Sequence, residues 1–338
     1  KMATHGSDTV CATLDRNLEE SMGRTIRFTN NVDTFTQGES ANNIEVRLYM
    51  LAGNDQVRLD RDDEFGGGNW ADMGTGNDRL LAIEGGNVFF LGAGNDVYFG
   101  AVNEIAFDRP SDRVIGGAGD DLFAVMTFKG HYLGGLGADR FVTMGHSNTF
   151  NGGEGRDSLT YGLIDDHGSI RLLVDLAAGY TVVHIGTDTA RETLISIENV
   201  AGGHNDDRVF GSAVSNRLAG GGGIDQLTGR GGADTFVWRT ADEAPTDEGG
   251  LERVTDFRSA QGDRIDIRKV DANQNSFDGD QAFTFIGYRG FTERVGQLSA
   301  IRRGDDTVLR GDTDGDGIAD FAIRLVGVSS LTRDDLVL

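Results

Sequence analysis

The greatest chemical potential in this chain lies in carboxylates set among glycines. Residues Ile115 to Val125, IGGAGDDLFAV, place three glycines and two aspartates within six residues and then turn apolar. Glycine carries a large ordering cost, so such a turn needs stabilisation from outside its own side chains. A carboxylate beside curled backbone carbonyls is an all-oxygen donor set, and that set suits calcium. With Gly116 as position 1 of a nine-residue frame, position 6 reads Asp121, Gly130, Asp139, Asn148 and Asp157. Position 8 reads Phe123, Tyr132, Phe141, Phe150 and Leu159. The apolar residue recurs every nine residues and aspartate every 18. Candidate ligands here are Gly116, Ala118 and Asp121, then Gly134, Gly135, Gly137 and Asp139, then Gly152, Gly153, Gly155 and Asp157.

An earlier block has the same asymmetry: Asp78 and Asp96 flank Asn87, with Leu80, Phe89 and Tyr98 at position 8. A lone unit, LAGNDQV at Leu51 to Val57, precedes it out of phase. A third block, Val200 to Val237, carries Asp207, Asn216, Asp225 and Asp234 at successive ninth positions, with Val209, Leu218, Leu227 and Phe236 inward. Calcium is therefore expected along the edge of Asp121, Asp139 and Asp157. The edge of Asn87, Gly130 and Asn148 is expected to hold none, because Phe128 and His146 also replace its position 4 glycine. Asp312, Asp314, Asp316 and Asp320 form a separate DxDxDG loop, with Gly317 permitting the sharp turn, and are a further calcium candidate.

A nine-residue period predicts an all-β fold, a right-handed parallel β-roll in which six residues turn and three form a short strand. The chain is expected to divide into an N-terminal cap (1–45), a roll with calcium on one edge (46–160), connector strands (161–200), a second roll block (201–240) and a β-rich C-terminal module (241–338). Val10, Leu14, Leu18 and Met22, between Asp8 and Gly23, predict a short capping helix over the open end of the solenoid.

Composition narrows the partners. The 338 residues carry 31 Lys and Arg against 54 Asp and Glu, a formal charge of −23 that makes nucleic acid a poor partner. Glycine numbers 51 and proline 2, which excludes collagen and Pro-rich linkers. Cys11 is the single cysteine, so no internal disulfide forms. The N-terminal stretch lacks the apolar run of a signal peptide, and no segment has the length and apolarity of a transmembrane span.

The units GGAGDDLFA, GGLGADRFV, GGEGRDSLT and GGGGIDQLT resemble the nonapeptides of RTX (repeats-in-toxin) calcium-binding proteins. From Leu251 onward, VTDFRSAQGDRIDI and DTDGDGIADFAIRLVG resemble the C-terminal module of serralysin-type secreted proteins, which carries a type I secretion signal. The resemblance implies several calcium ions, a type I secretion apparatus as partner, and an extracellular or cell-surface location. It also implies calcium on both edges, where the spacing predicts one.

Catalytic motifs are sparse. None of the six histidines is followed by Glu, so the chain holds no HExxH zinc site. GHSNT at Gly145 to Thr149 lacks the final glycine of a nucleophile elbow and reads as a polar turn. Tyr161, Asp165 and His167 in YGLIDDHG resemble the catalytic neighbourhood of secreted mannuronan epimerases, with the spacing displaced by one residue. A strand residue followed by a loop tip accounts for them more simply. The residues favour a non-catalytic protein that binds surface or matrix polysaccharide or self-associates. The alternatives are a polysaccharide-acting epimerase or lyase, or the export portion of a larger RTX enzyme. Lys1-Met2 reads as a scar ahead of a native start and weighs against the last.

Overall fold

A computed structural model describes residues 24–37, 45–59, 68–83, 85–101, 112–161, 170–246, 250–273 and 281–338. The expected capping helix, Asp165 and His167 lie outside them. The described chain is strands and turns with three short 3₁₀ turns, and it separates into two units at Asp157 and Ser158.

The first unit is a parallel β-roll. One sheet stacks Thr34–Gln37, Gln56–Leu59, Arg79–Ala82, Val97–Gly100, Leu122–Val125 and Arg140–Thr143. The facing sheet stacks Arg24–Arg27, Val46–Tyr49, Trp70–Asp72, Val88–Ala93, Arg113–Ala118, His131–Leu136 and Thr149–Glu154. Among the described residues coiling is already present at Arg24, inside the segment expected to be a cap.

Short strands with period-2 alternation point every position 8 residue inward. Phe35, Val57, Leu80, Tyr98, Phe123 and Phe141 face Leu48, Phe89, Tyr132 and Phe150, and all are buried. The aromatic rings stack along the roll, Phe123 on Phe141 at 4.8 Å and Tyr132 on Phe150 at 5.6 Å. Burying each such side chain contributes about 1.5–3 kcal/mol, which makes this column the main apolar support of the roll.

Glycine at positions 2 and 4 is a steric requirement of stacking. Gly135 and Gly137 have φ of +123° and +129°, and a Cβ on either would lie 2.1 Å from the carbonyl oxygen of Gly117 or Gly119 one coil earlier. Nothing but hydrogen fits between the coils there.

The second unit opens with Ser158–Thr160, which pairs parallel with Asn199–Ala201, and continues as an antiparallel meander, Ile170–Asp175, Tyr180–Ile185 and Asp188–Ile195. Parallel coiling follows. Asn199–Ala201, Arg217–Ala219, Thr235–Val237, Arg264–Asp266 and Leu336–Val337 stack on one side. Ile170–Asp175, Arg208–Phe210, Gln226–Thr228, Glu252–Val254 and Phe321–Leu325 stack on the other. Coiling therefore continues past residue 240, where the glycine signature stops, because Glu252-x-Val254 and Asp263-x-Ile265 keep the acid-x-apolar spacing. Gln297–Arg303 and Asp306–Asp312 form an antiparallel hairpin, and Asp306–Asp312 also pairs antiparallel with Phe321–Leu325.

Gly137→Ala is expected to destabilise the protein by about 2–4 kcal/mol, combining backbone strain with a clash against Gly119. Gly186→Ala, at φ +60° with nothing within 4 Å, is expected to cost about 1 kcal/mol. Urea unfolding of both variants checks this, and equal costs would contradict the stacking argument.

Candidate metal centre

Stacking the coils brings the position 6 carboxylates into one column. The backbone N–H of Asp33 donates to Oδ1 of Asp55, that of Asp55 to Asp78, and that of Asp78 to Asp96, each at 2.7 Å. Asp96 donates in the same way to Asp121, Asp121 to Asp139, and Asp139 to Asp157, at 2.8–2.9 Å. The steps from Asp33 to Asp55, Asp55 to Asp78 and Asp96 to Asp121 exceed 18 residues, yet the column stays aligned. The Leu51 unit is therefore in register in space though out of phase in sequence. Residues 38–44, 60–67 and 102–111, where the extra length falls, lie outside the described residues.

Each carboxylate uses one oxygen on its neighbour's amide. The other oxygen of Asp55, Asp78, Asp96 and Asp121 is buried and has no hydrogen-bond donor. A polar atom in that position costs free energy unless something pairs with it. At Asp121 a position 1 glycine leaves room beside it, where the coils of Asp55, Asp78 and Asp96 carry Met50, Met73 and Leu91: a Cβ on Gly116 would lie 2.2 Å from Asp121 Oδ2 and 2.5 Å from the Gly134 carbonyl oxygen. On Gly134 it would lie 2.0 Å from Asp139 Oδ2 and 2.6 Å from the Gly152 carbonyl oxygen. A carboxylate oxygen and a carbonyl oxygen from the next coil thus share a cradle that a methyl group would fill. This donor set fits a hard divalent cation. Gly153 and Gly155 occupy stacked positive-φ sites like those of Gly135 and Gly137, and the Ala118 carbonyl accepts from the Gly94 N–H at 2.8 Å.

Burial pushes Asp78 and Asp121 up to about 7, and Asp55, Asp96 and Asp139 up to about 6, with neighbouring carboxylates adding to the rise at Asp55, Asp78, Asp121 and Asp139.

The other edge is built differently. Asn148 accepts the Gly130 N–H at 2.8 Å and donates its Nδ2 to the Thr127 carbonyl at 2.9 Å, so its amide supplies donor and acceptor together. Gly130 has no side chain because a Cβ would lie 2.3 Å from the Tyr132 hydroxyl, which bonds Thr127 Oγ1. Phe128 and His146 pack ring against ring at 4.4 Å where the first edge has glycine. One acid does stand here, against expectation. Asp112 accepts the Asn87 N–H and Nδ2 at 2.9 Å and also the Tyr98 hydroxyl. Its place between Asn87 and Gly130 is hidden in sequence by the preceding insertion, and side-chain donors satisfy it.

The second unit has shorter columns on both edges. Leu172 donates to Asp207 and Asp207 to Asp225, each at 2.7 Å, and Asp225 donates to Oε1 of Glu252. Glu252 is wholly buried beside the Trp238 indole, and Oδ2 of Asp225 lacks a donor. Burial, reinforced by like charge, raises Asp207, Asp225 and Glu252 well above the ordinary carboxyl range. On the other edge Asn216 donates to Asp234 at 2.8 Å and Asp234 to Asp263 at 3.0 Å. In the loop Asp312 to Asp320, ligand atoms of Asp312, Asp314 and Asp320 come within 4.8 Å of one another. Asp316 is not among them and accepts the Ile318 N–H.

Sequence reasoning missed Asp33, Glu252 and Asp263 as column members. Each keeps an acid two residues before a buried apolar residue, Phe35, Val254 and Ile265, and that spacing was the available signal. Tyr161 is fully buried, its hydroxyl donating to Glu192 at 2.5 Å and accepting from the Thr181 hydroxyl at 2.7 Å, so it is not presented to a substrate.

These features define a parallel β-roll of glycine- and aspartate-rich nonapeptides. The chain belongs to the peptidase M10 serralysin C-terminal family, whose pattern matches residues 69–338, a module of RTX-type repeats. Among solved structures it is similar to the AlgE6R2 subunit of an Azotobacter vinelandii mannuronan C5-epimerase, at 24% identity over 43% of this chain and 80% of that one, with a TM-score of 0.27. The AlgE6R3 subunit matches at 25% identity over 40% and 78%, with a TM-score of 0.26. The extracellular lipase LipA of Serratia marcescens matches at 15% identity over 85% of this chain and 45% of the lipase, with a TM-score of 0.26. No curated protein matches the chain. Among the described residues no helix is long and apolar enough to cross a membrane.

Carboxyls raised by burial take up protons when the metal-free chain folds. Their contribution to stability is complete below the unfolded value of 3.8 and is lost as pH rises through about 6 to 7. In chelator, the folded β signal and its urea midpoint are expected to be greatest near pH 5 and to diminish toward about pH 8, where the calcium-free chain unfolds. A midpoint that is flat or rises over that window would contradict the assignment.

Proposed function

We propose that the protein is a secreted, non-catalytic calcium-binding RTX protein that folds on extracellular calcium and binds surface or matrix polysaccharide. The observation that carries the reading is the row of buried, donor-less carboxylate oxygens in the first column. Asp78, Asp96, Asp121, Asp139 and Asp157 would hold calcium there, with the carbonyls beside Gly116, Gly134 and Gly152. Asp207 and Asp225 with Glu252, Asp234, and the Asp312, Asp314 and Asp320 loop are the further sites. Bound calcium supplies the positive charge that these oxygens lack. A chain of net charge −23 stays loose where calcium is scarce and compacts where it is abundant, which suits export before folding.

Asp139→Ala is expected to weaken the two sites shared with Asp121 and Asp157 and to lower the calcium stoichiometry measured by calorimetry. Asn148→Ala is expected to keep the full stoichiometry and lose about 1 kcal/mol through its two hydrogen bonds. Equal calcium loss in both variants would refute one-edged loading in this unit.

For the polysaccharide reading, calcium-folded protein is passed over acidic and neutral polysaccharides while product formation is followed. Retention without product is the expected outcome. Product release would establish an enzyme, and failure to bind any polymer would remove this ligand class.

A further inference from the structure

The C-terminal module carries a concentration of positive charge that its acidic composition does not lead one to expect. A pocket of about 780 Å³ is lined by Arg253, Arg303, Arg310 and Arg324, with Val308 and Ala322 among the apolar residues between them. The strand registers place them together. Arg253 lies directly beside Arg324 across a parallel pair, Arg324 is opposite Val308, and Arg310 is opposite Ala322. Alternation along Asp306–Asp312 and Phe321–Leu325 then puts Val308, Arg310, Ala322 and Arg324 on one face of the sheet.

Like charges side by side on a sheet are destabilising, and carboxylates are abundant in this chain, so a purely structural face would pair them. Among the described residues only Arg324 is paired with a carboxylate, its Nε donating to Asp306 Oδ2 at 2.6 Å. Arg253 and Arg303 have no carboxylate partner among the described residues. Arg310 lies over the Phe291 ring at 5.0 Å, and its buried Nε lacks an acceptor. Burial and the charge of Arg303 both work against Arg310 holding its proton. Among the described residues the component these guanidinium groups lack is negative charge.

We infer that this pocket binds the carboxylates of an acidic oligosaccharide, with Arg253, Arg303 and Arg310 as the recognising residues. The inference rests on the polysaccharide-binding reading and names the ligand class and its site. Guanidinium groups match carboxylates through paired N–H donors. The volume lies within the range of about 300–1,000 Å³ typical of small-ligand sites and far exceeds what a single inorganic anion fills. The apolar wall of Val308, Ala322 and Ile318 suits the C–H face of a sugar ring whose carboxylate lies at its edge.

The test is calorimetry on the calcium-folded full chain with a uronate tetrasaccharide, a neutral tetrasaccharide and inorganic phosphate. It compares the wild type with Arg253→Gln/Arg303→Gln and with Arg79→Gln/Arg140→Gln, which removes the same charge from exposed positions of the first unit. Circular dichroism verifies that each variant folds. The wild type is expected to bind uronate and not the neutral sugar. The pocket variant is expected to bind at least about tenfold more weakly, and the control less than about twofold. Equal losses in both variants, or none in either, would overturn the site while leaving polysaccharide retention to be judged on its own. Displacement of uronate by equimolar phosphate would overturn the saccharide assignment. No uronate binding by the wild type, with neutral polymers still retained, would overturn the pocket and leave the broader reading in place.

Discussion

The structure depends on what one aspartate does with its two oxygens. Along the column from Asp33 to Asp157, one oxygen fixes each coil to the one before it by accepting a backbone N–H. The other, at Asp55, Asp78, Asp96 and Asp121, is buried without a donor. The first interaction sets the register of the roll, and the second leaves it electrostatically incomplete. A proton or a cation can complete it, and at neutral pH only a cation does so without opposing the carboxyl's ordinary ionisation.

The rest of the first unit follows from that column. Coils must approach closely enough for an amide to reach the next carboxylate, and from the coil of Asp78 to that of Asp157 positions 2 and 4 are glycine, while the Asp55 coil carries Leu51 at position 2 with φ of +72°. The apolar residue two places after each acid then points into the narrow interior, where Phe123, Phe141, Tyr132 and Phe150 fill it. The opposite edge meets the same backbone demand with neutral groups. Asn148 supplies an acceptor and a donor from one amide, and Asp112 is held by Tyr98 and Asn87. An edge completed by its own side chains has no need of a cation.

The β-roll and its repeating acids were legible in sequence because the glycine, acid and apolar positions repeat in phase. Insertions hid part of the column. Asp55 reads as out of phase and Asp33 as part of a cap, yet both stack because the acid-x-apolar unit, and not the residue count, determines register. Glu252 and Asp263 were obscured for another reason: their coils have lost the glycines and keep only the spacing to Val254 and Ile265. The arginine face could not be read from sequence at all. Arg253, Arg303, Arg310 and Arg324 are dispersed over four strands and converge only through the hairpin, its pairing with Phe321–Leu325 and the pairing of that strand with Glu252–Val254.

The first unit carries one long column of carboxylates, and the second adds an arginine-lined pocket to its own shorter carboxylate columns. The column is the central claim, and anomalous diffraction from crystals grown in calcium tests it most directly. The account predicts anomalous peaks between successive members of the series Asp78, Asp96, Asp121, Asp139 and Asp157, and none beside Gly130 or Asn148. Peaks on the Asn148 edge, or a folded column with no peak along it at neutral pH, would contradict it.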